Sequence, residues 1–334
     1  LPTPFTAMRT PRLLYRYSLS LLGASLLALG LSPCRAQETP MVVRMERANE
    51  TDNPVITYRK ELLEKALTAA GKHYTIQHCD FPANITNDAR VRYSKRMQPY
   101  CDVIATSAGG KASRELALVA VPIYLGGNGY RVFMANQQGL AKVAKVKKLP
   151  QLSQLSVGSG SDWPDSDIMT DAGLKVVRDK TETLFDLLAQ NRFDLLTRAV
   201  YEVSSEFRQI GLEDGILLEP QLMLHYPNDL FFYVAPQRAD LQQALSLGMK
   251  ILYCQGEINR HLRDHPSTRN MRSVIRPEQR TVFELPNRHL NPMEAQALQT
   301  YTAAAFVPGS SGRPMRPAAA RACAGINGKP AIAH

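Results

Sequence analysis

The 334-residue sequence predicts an α/β protein built as two similar lobes, each a mostly parallel sheet flanked by helices. Two observations carry this. Short apolar strands alternate with helical patterns, the mark of parallel α/β layers. The alternation runs once to about residue 134 and then starts again. Hydrophobic residues make up 44% and charged residues 21%, which suits a globular chain and excludes disorder along most of its length. No repeat or heptad run is present, so solenoids and coiled coils are set aside.

In chain order, Met41–Met45 is the first expected strand. Asn53-Pro54 breaks the chain, and residues 55–70 place Ile56, Leu62, Leu63, Ala66 and Leu67 at helical spacing, closed by Gly71. Tyr74–His78 is a strand, 87–97 a polar helix, and Cys101–Thr106 a third strand. Strands at Ala120–Tyr124 and Tyr130–Met134 flank the turn Gly126–Gly129. The second round has a basic helix at 138–148 and a strand at 155–157, then the turn Gly158-Ser-Gly-Ser-Asp-Trp-Pro-Asp165 into a helix ending near Gly173. A strand at 174–177, a helix at 181–191 and strands at 193–200, 222–226 and 230–234 follow, with one helix from Asp240 through Leu262. Residues 303–334 are rich in Ala, Pro and Gly and free of acid, which predicts a disordered tail.

The N-terminus has the three parts of a secretory signal. Arg9, Arg12 and Arg16 precede an apolar run from Leu19 to Leu31, and Cys34-Arg35-Ala36 sets small residues before a cut at Gln37. The run is short for a membrane span. The expected location is therefore periplasmic, with residues 1–36 removed. Export permits disulfides; Cys323 falls in the expected tail, so at most one bridge is expected among Cys79, Cys101 and Cys254. The net charge of +10 comes with no nucleic-acid-binding signature, and Lys142, Lys145, Lys147 and Lys148 read as a solvated helix face.

Four stretches carry candidate chemistry. A Gly-rich turn from strand to helix at Gly158–Asp165 offers backbone N–H groups to an anion, and Trp163, the only Trp, could cover a ligand or anchor a core. Its third Gly is missing, so it makes a poor dinucleotide fingerprint. Ser107-Ala-Gly-Gly leads to Arg114, whose fork can grip a carboxylate or pair with a neighbouring acid. Arg198 and Glu202 share strand parity and can meet on one face, as ligand contacts or as a salt bridge. His261 and His265 have metal-compatible spacing without an evident third ligand.

From Met41 to about Arg263 the chain resembles the type II periplasmic solute-binding proteins, in particular the family of amino-acid receptors of ABC importers, and within it a divergent bacterial branch. The resemblance rests on Asp102-Val-Ile-Ala-Thr106 with Arg114-Glu and Pro122-Ile-Tyr, on Val157-Gly-Ser-Gly-Ser161, on Arg192-Phe-Asp194, and on Gly129-Tyr-Arg-Val-Phe with Phe231-Phe-Tyr-Val as hinge-crossing strands. It implies a first lobe at 37–132 and 232–290, a second at 133–231, two hinge crossings, and closure on a small polar solute. Implied contacts are Thr106, Ser107, Arg114, Tyr130, Ser161, Trp163, Asp165, Arg198 and Glu202, with no cofactor and no metal. Two departures stand out. Thr197-Arg198-Ala199 replaces the acid that takes an α-ammonium, and Lys111 stands where a Thr is usual. Either Glu202 or Asp165 supplies the acid, or the ligand is more anionic than an amino acid. The expectation is a monomeric receptor for ABC-type import or sensing, partnered by a transporter membrane component or a sensor protein. The alternatives are a dehydratase-like enzyme on the same fold and a degenerate lobe pair that binds a protein.

Overall fold

The computed structural model describes residues 39–47, 54–79, 81, 85–94, 101–203, 215–302 and 317–326. The signal-peptide expectation at 1–36 lies outside them. In chain order the elements are β1 Met41–Glu46, α1 Pro54–Ala69, β2 Tyr74–Cys79, α2 Asn87–Ser94, β3 Val103–Ser107, β4 Ala117–Leu118, β5 Tyr130–Ala135, α3 Gln137–Val143, α4 Leu149–Leu152, β6 Ser156–Gly160 and α5 Pro164–Asp171. They continue with β7 Lys175–Asp179, α6 Leu184–Ala189, β8 Leu195–Ala199, β9 Leu217–Leu218, β10 Leu222–His225 and β11 Leu230–Val234. Last come α7 Ala239–Cys254, α8 Glu257–Asp264, α9 Met271–Ile275, β12 Thr281–Glu284, α10 Pro292–Tyr301 and α11 Pro317–Cys323.

Two sheets organise the molecule. The first has the order β2-β1-β3-β11-β4; the second runs β12-β10-β5-β8-β6-β7, with β9 beside β5. Each holds a parallel block, β2-β1-β3 and β8-β6-β7, bordered by antiparallel strands. Helices cover both. The inward face of α1, with Tyr58, Leu62, Leu63, Ala66 and Leu67, shares a core with Val43 and Met45 of β1 and Leu245 and Met249 of α7. A Cβ at Gly248 would sit 1.8 Å from the Ala66 carbonyl oxygen, so the α1–α7 contact requires glycine there. A second core, with Phe133, Val157, Ile168, Met169 and Leu195, fills the other sheet.

The structure corrects several expectations. The strand expected at Ala120–Tyr124 does not form, because the chain there is leaving one sheet for the other; the two-residue β4 precedes it at Ala117–Leu118. The single helix expected to Leu262 breaks at Gly256, whose φ of 74° ends α7 and starts α8 in a new direction. Residues 281–284, expected in the first lobe, form β12 and pair in parallel with β10 of the second sheet. The expected tail is in part a helix, since α11 packs Ala319 into the main core. Two disulfides form where at most one was expected, Cys79–Cys101 and Cys254–Cys323, the second pinning α11 to α7.

Candidate functional site

Parallel strands in open α/β sheets bring ligands to their carboxyl ends, where loops diverge and backbone groups lose their ladder partners. Here those ends are Glu46 of β1, Ser107 of β3, Gly160 of β6 and Ala199 of β8. The pairings of Ser107 with Leu230, and of Ala199 with Arg131, put the starts of β11 and β5 at these ends. The segments that cross between the sheets, 119–129 and 226–229, therefore pass beside them.

The crossings are locked to each other by buried polar groups. The Asp229 carboxylate accepts from the backbone N–H of Tyr124 at 2.9 Å and of Gly126 at 2.5 Å. Burial pushes its carboxyl up to about 7, against the pull of those N–H donors. Tyr226 N–H donates to the Gly129 carbonyl, and a Cβ at Gly129 would lie 2.1 Å from the Tyr226 carbonyl oxygen, so the two chains touch backbone to backbone. Arg131 of β5 and Asp165 of α5, 4% and 3% exposed, form a 2.5 Å ion pair. Tyr226 Oη donates to Asp165 at 2.6 Å, while Arg131 and Tyr201 Oη both donate to Asn128 Oδ1, at 3.1 and 2.8 Å. Asn228 links Asp165 to Ser107, donating 3.4 Å to the first and 2.9 Å to the second.

Outside this lock lies a charged rim in which Arg59, Trp163 and Glu202 are half-buried and Arg198 is buried. Arg198 of β8 pairs with Glu202 at 3.3 Å and lies 5.0 Å over the Trp163 ring. Burial pushes the Glu202 carboxyl up, but Arg198, Arg131, the Ala199 N–H and Arg59 together hold it below the usual range. Glu202 is therefore an anion near neutrality. Arg59 of α1 donates from Nε to Tyr124 Oη at 3.3 Å. Tyr124 stacks on Tyr201 with centroids 3.8 Å apart and on Tyr58 at 4.9 Å, which fixes the phenol that Arg59 contacts. Across the rim, Asp162 of the β6–α5 turn accepts from the Asp88 N–H of α2 at 3.4 Å, and Arg90 pairs with Glu46 at 2.5 Å.

Of the expected contacts, the structure gathers Ser107, Trp163, Asp165, Arg198 and Glu202 in or beside this region. Thr106 sits half-buried in β3, paired with Phe231. Three others stand apart. Arg114 is exposed on a 3₁₀ turn at Ala112–Glu115 and donates from one terminal nitrogen to the His289 carbonyl at 3.2 Å. Tyr130 is buried and stacks on His225, with ring centroids 4.1 Å apart. Ser161 is exposed, and its N–H continues the β6–β7 ladder to the Asp179 carbonyl at 2.9 Å. The Trp163 N–H likewise reaches the Gly160 carbonyl. The free amides expected of this turn are in these two cases already paired.

Sequence reading missed Arg59, Asn128, Arg131, Tyr226, Asn228 and Asp229. Arg131 left a signal, as a lone cation in an apolar strand. Asn128, Asn228 and Asp229 sit among Gly and Pro and read only as turn punctuation. His261 and His265 are buried; burial holds both imidazoles below their usual range, and among the described residues no group of three metal-binding side chains forms.

No family model and no curated protein matches the chain. Solved structures do resemble it at low identity. An amino acid ABC transporter substrate-binding protein from Streptococcus pneumoniae, bound to L-arginine, is 14% identical over 71% of this chain and 96% of its own, with a TM-score of 0.49. A mutant of ArgBP from T. maritima is 14% identical over 67% and 94%, with a TM-score of 0.46. A histidine kinase sensor domain with similarity to periplasmic binding proteins is 15% identical over 70% and 98%, with a TM-score of 0.48. The chain is an α/β protein of two helix-flanked sheets, similar to amino-acid-binding periplasmic proteins.

Proposed function

We propose that this protein binds a small polar, carboxylate-bearing solute between its two sheets, outside the cytoplasm. One observation carries the reading: the carboxyl ends of parallel strands from both sheets meet at the crossings, rimmed by Arg59, Arg198, Glu202, Trp163 and Ser107. That rim offers cations, an anion, a hydroxyl and an aromatic face, which suits a polar guest. The two disulfides fit an oxidising compartment and support export independently of the N-terminal pattern. In this reading one lobe is built on the first sheet and the other on the second, and a bound solute favours their closed arrangement. Import and sensing share this binding step, and the partner is a transporter membrane component or a sensor protein.

The test is calorimetric titration of the purified protein with the amino acids, dicarboxylates, polyamines and short peptides. We expect saturable binding by a carboxylate-bearing member. A ligand at 100 times its Kd raises stability by about 2.7 kcal/mol, which a thermal melt reads independently. Silence across all four classes overturns the proposal. Conversion of a bound acid to product would favour an enzyme.

A further inference from the structure

We infer that Arg59, and not Arg114, supplies the guanidinium that grips the carboxylate of the solute. This rests on the binding reading above and assigns its anion contact.

Three other arginines surround the region, and each has an acid. Arg131 is held by Asp165, Arg198 by Glu202, and Arg90 by Glu46. Arg59 has none. Its one hydrogen bond among the described residues is the side-on contact from Nε to the neutral Tyr124 phenol. The acids that act on it at longer range are Glu46, whose carboxylate Arg90 already engages, and Glu202, which Arg198 engages. A guanidinium held by Nε keeps two terminal nitrogens free, and these form the fork that fits a carboxylate in two parallel bonds.

The placement is built. Arg59 follows Tyr58, which anchors that turn of α1 in the core and stacks on Tyr124. Tyr124 presents its hydroxyl to Arg59 while its ring lies flat on Tyr201, and Tyr201 is fastened to Asn128. The fork thus starts from a rigid aromatic stack tied to the crossings. Arg59 also lies close enough to Glu202 to help hold it ionised, which puts it on the same rim as Arg198. Arg114 has the opposite setting, exposed and spent on the His289 carbonyl. A solute bound through Arg59 joins α1 of one sheet to the Arg198–Glu202 pair of the other, a contact that exists only when the two approach.

The experiment titrates the full chain and its variants with a fixed panel: the amino acids, succinate, glutarate and benzoate, and the matching amides as neutral controls. Arg59→Gln is expected to weaken the tightest carboxylate about 10–100-fold, the range for losing hydrogen bonds to a charged group. Arg114→Gln is expected to leave its Kd within about threefold. Tyr124→Phe, which keeps the stack and removes the orienting hydroxyl, is expected to weaken binding less than Arg59→Gln and decides the matter should that variant not fold. If a carboxylate binds but Arg59→Gln leaves its affinity unchanged, if amides bind as well as acids, or if Arg114→Gln carries the loss, this inference fails while the binding reading stands. Absence of binding by every panel member and control overturns this inference, and, joined to silence from the polyamines and peptides, the binding reading as well.

Discussion

The polar groups at the crossings fall into two sets that differ in how they meet solvent. The inner set, Arg131, Asp165, Asn128, Tyr226 and Asp229, is buried and knitted by side-chain and backbone hydrogen bonds. The outer set, Arg59, Arg198, Glu202 and Trp163, leaves all but Arg198 half-exposed and includes a 3.3 Å ion pair, a bond from the Ala199 N–H to Glu202, a ring contact and a side-on bond to a phenol. Buried charge is tolerated only when paired, so the inner set, where Arg131 keeps its acid although its Nε is buried without a hydrogen bond, is bound to structure. Charge at half-exposed Arg59 and Glu202 costs less to leave open, so in the proposed binding role these two are where a guest is admitted.

The largest expected effect lies in the inner set. Asp165→Ala leaves Arg131 buried without its acid and should destabilise the fold by about 3–5 kcal/mol, read from urea midpoints. A loss under about 1 kcal/mol would erase the distinction. Asn128→Ala strands two donors, from Arg131 and Tyr201, and should cost about 1–3 kcal/mol in the same assay.

Asp229 sharpens the contrast through pH. An unfolded aspartate titrates near about 4, whereas burial pushes this carboxyl up to about 7. The native state therefore keeps its proton to higher pH than the unfolded state. This group's contribution is most favourable below about pH 4, declines as pH rises toward about 7, and is level above that. Asp229→Asn should flatten that part of a stability-versus-pH curve, and an unchanged slope would show that another group causes it.

The smallest expected effect on stability is at Arg59. Arg59→Gln removes one hydrogen bond from a half-buried group and should shift the ligand-free melt by no more than about 0.5 kcal/mol equivalent. A large loss would place Arg59 with the inner set.

What the sequence made legible follows the same division. Apolar periodicity located β1, α1, β2, β5 and β11 to within a residue or two, because burial of one face dictates that pattern. It failed where long-range contacts decide. Thr281-Val-Phe-Glu is too short to announce itself between Pro277 and Pro286, and becomes β12 because β10 offers an edge. The helix through Gly256 read as continuous because one glycine does not reveal that its φ turns positive. At the site, Arg198 and Glu202 were expected to meet through strand parity; β8 ends at Ala199 and residues 200–203 are helical, so they meet instead as an i,i+4 pair, in the salt bridge that was one of the two readings. Arg59 meets Tyr124 across 65 residues of sequence, and no local rule reports such a contact.

The strand β12 has a mechanical corollary. After β11 the chain returns to the second sheet at Thr281–Glu284, then goes back to α10, whose Glu294 accepts from Tyr233 of β11. Two plates hung on a pair of strands can swing wide, whereas two further tethers along one margin leave only a rocking stroke. In the proposed binding role, such a device would report occupancy by a small tilt rather than a wide gape.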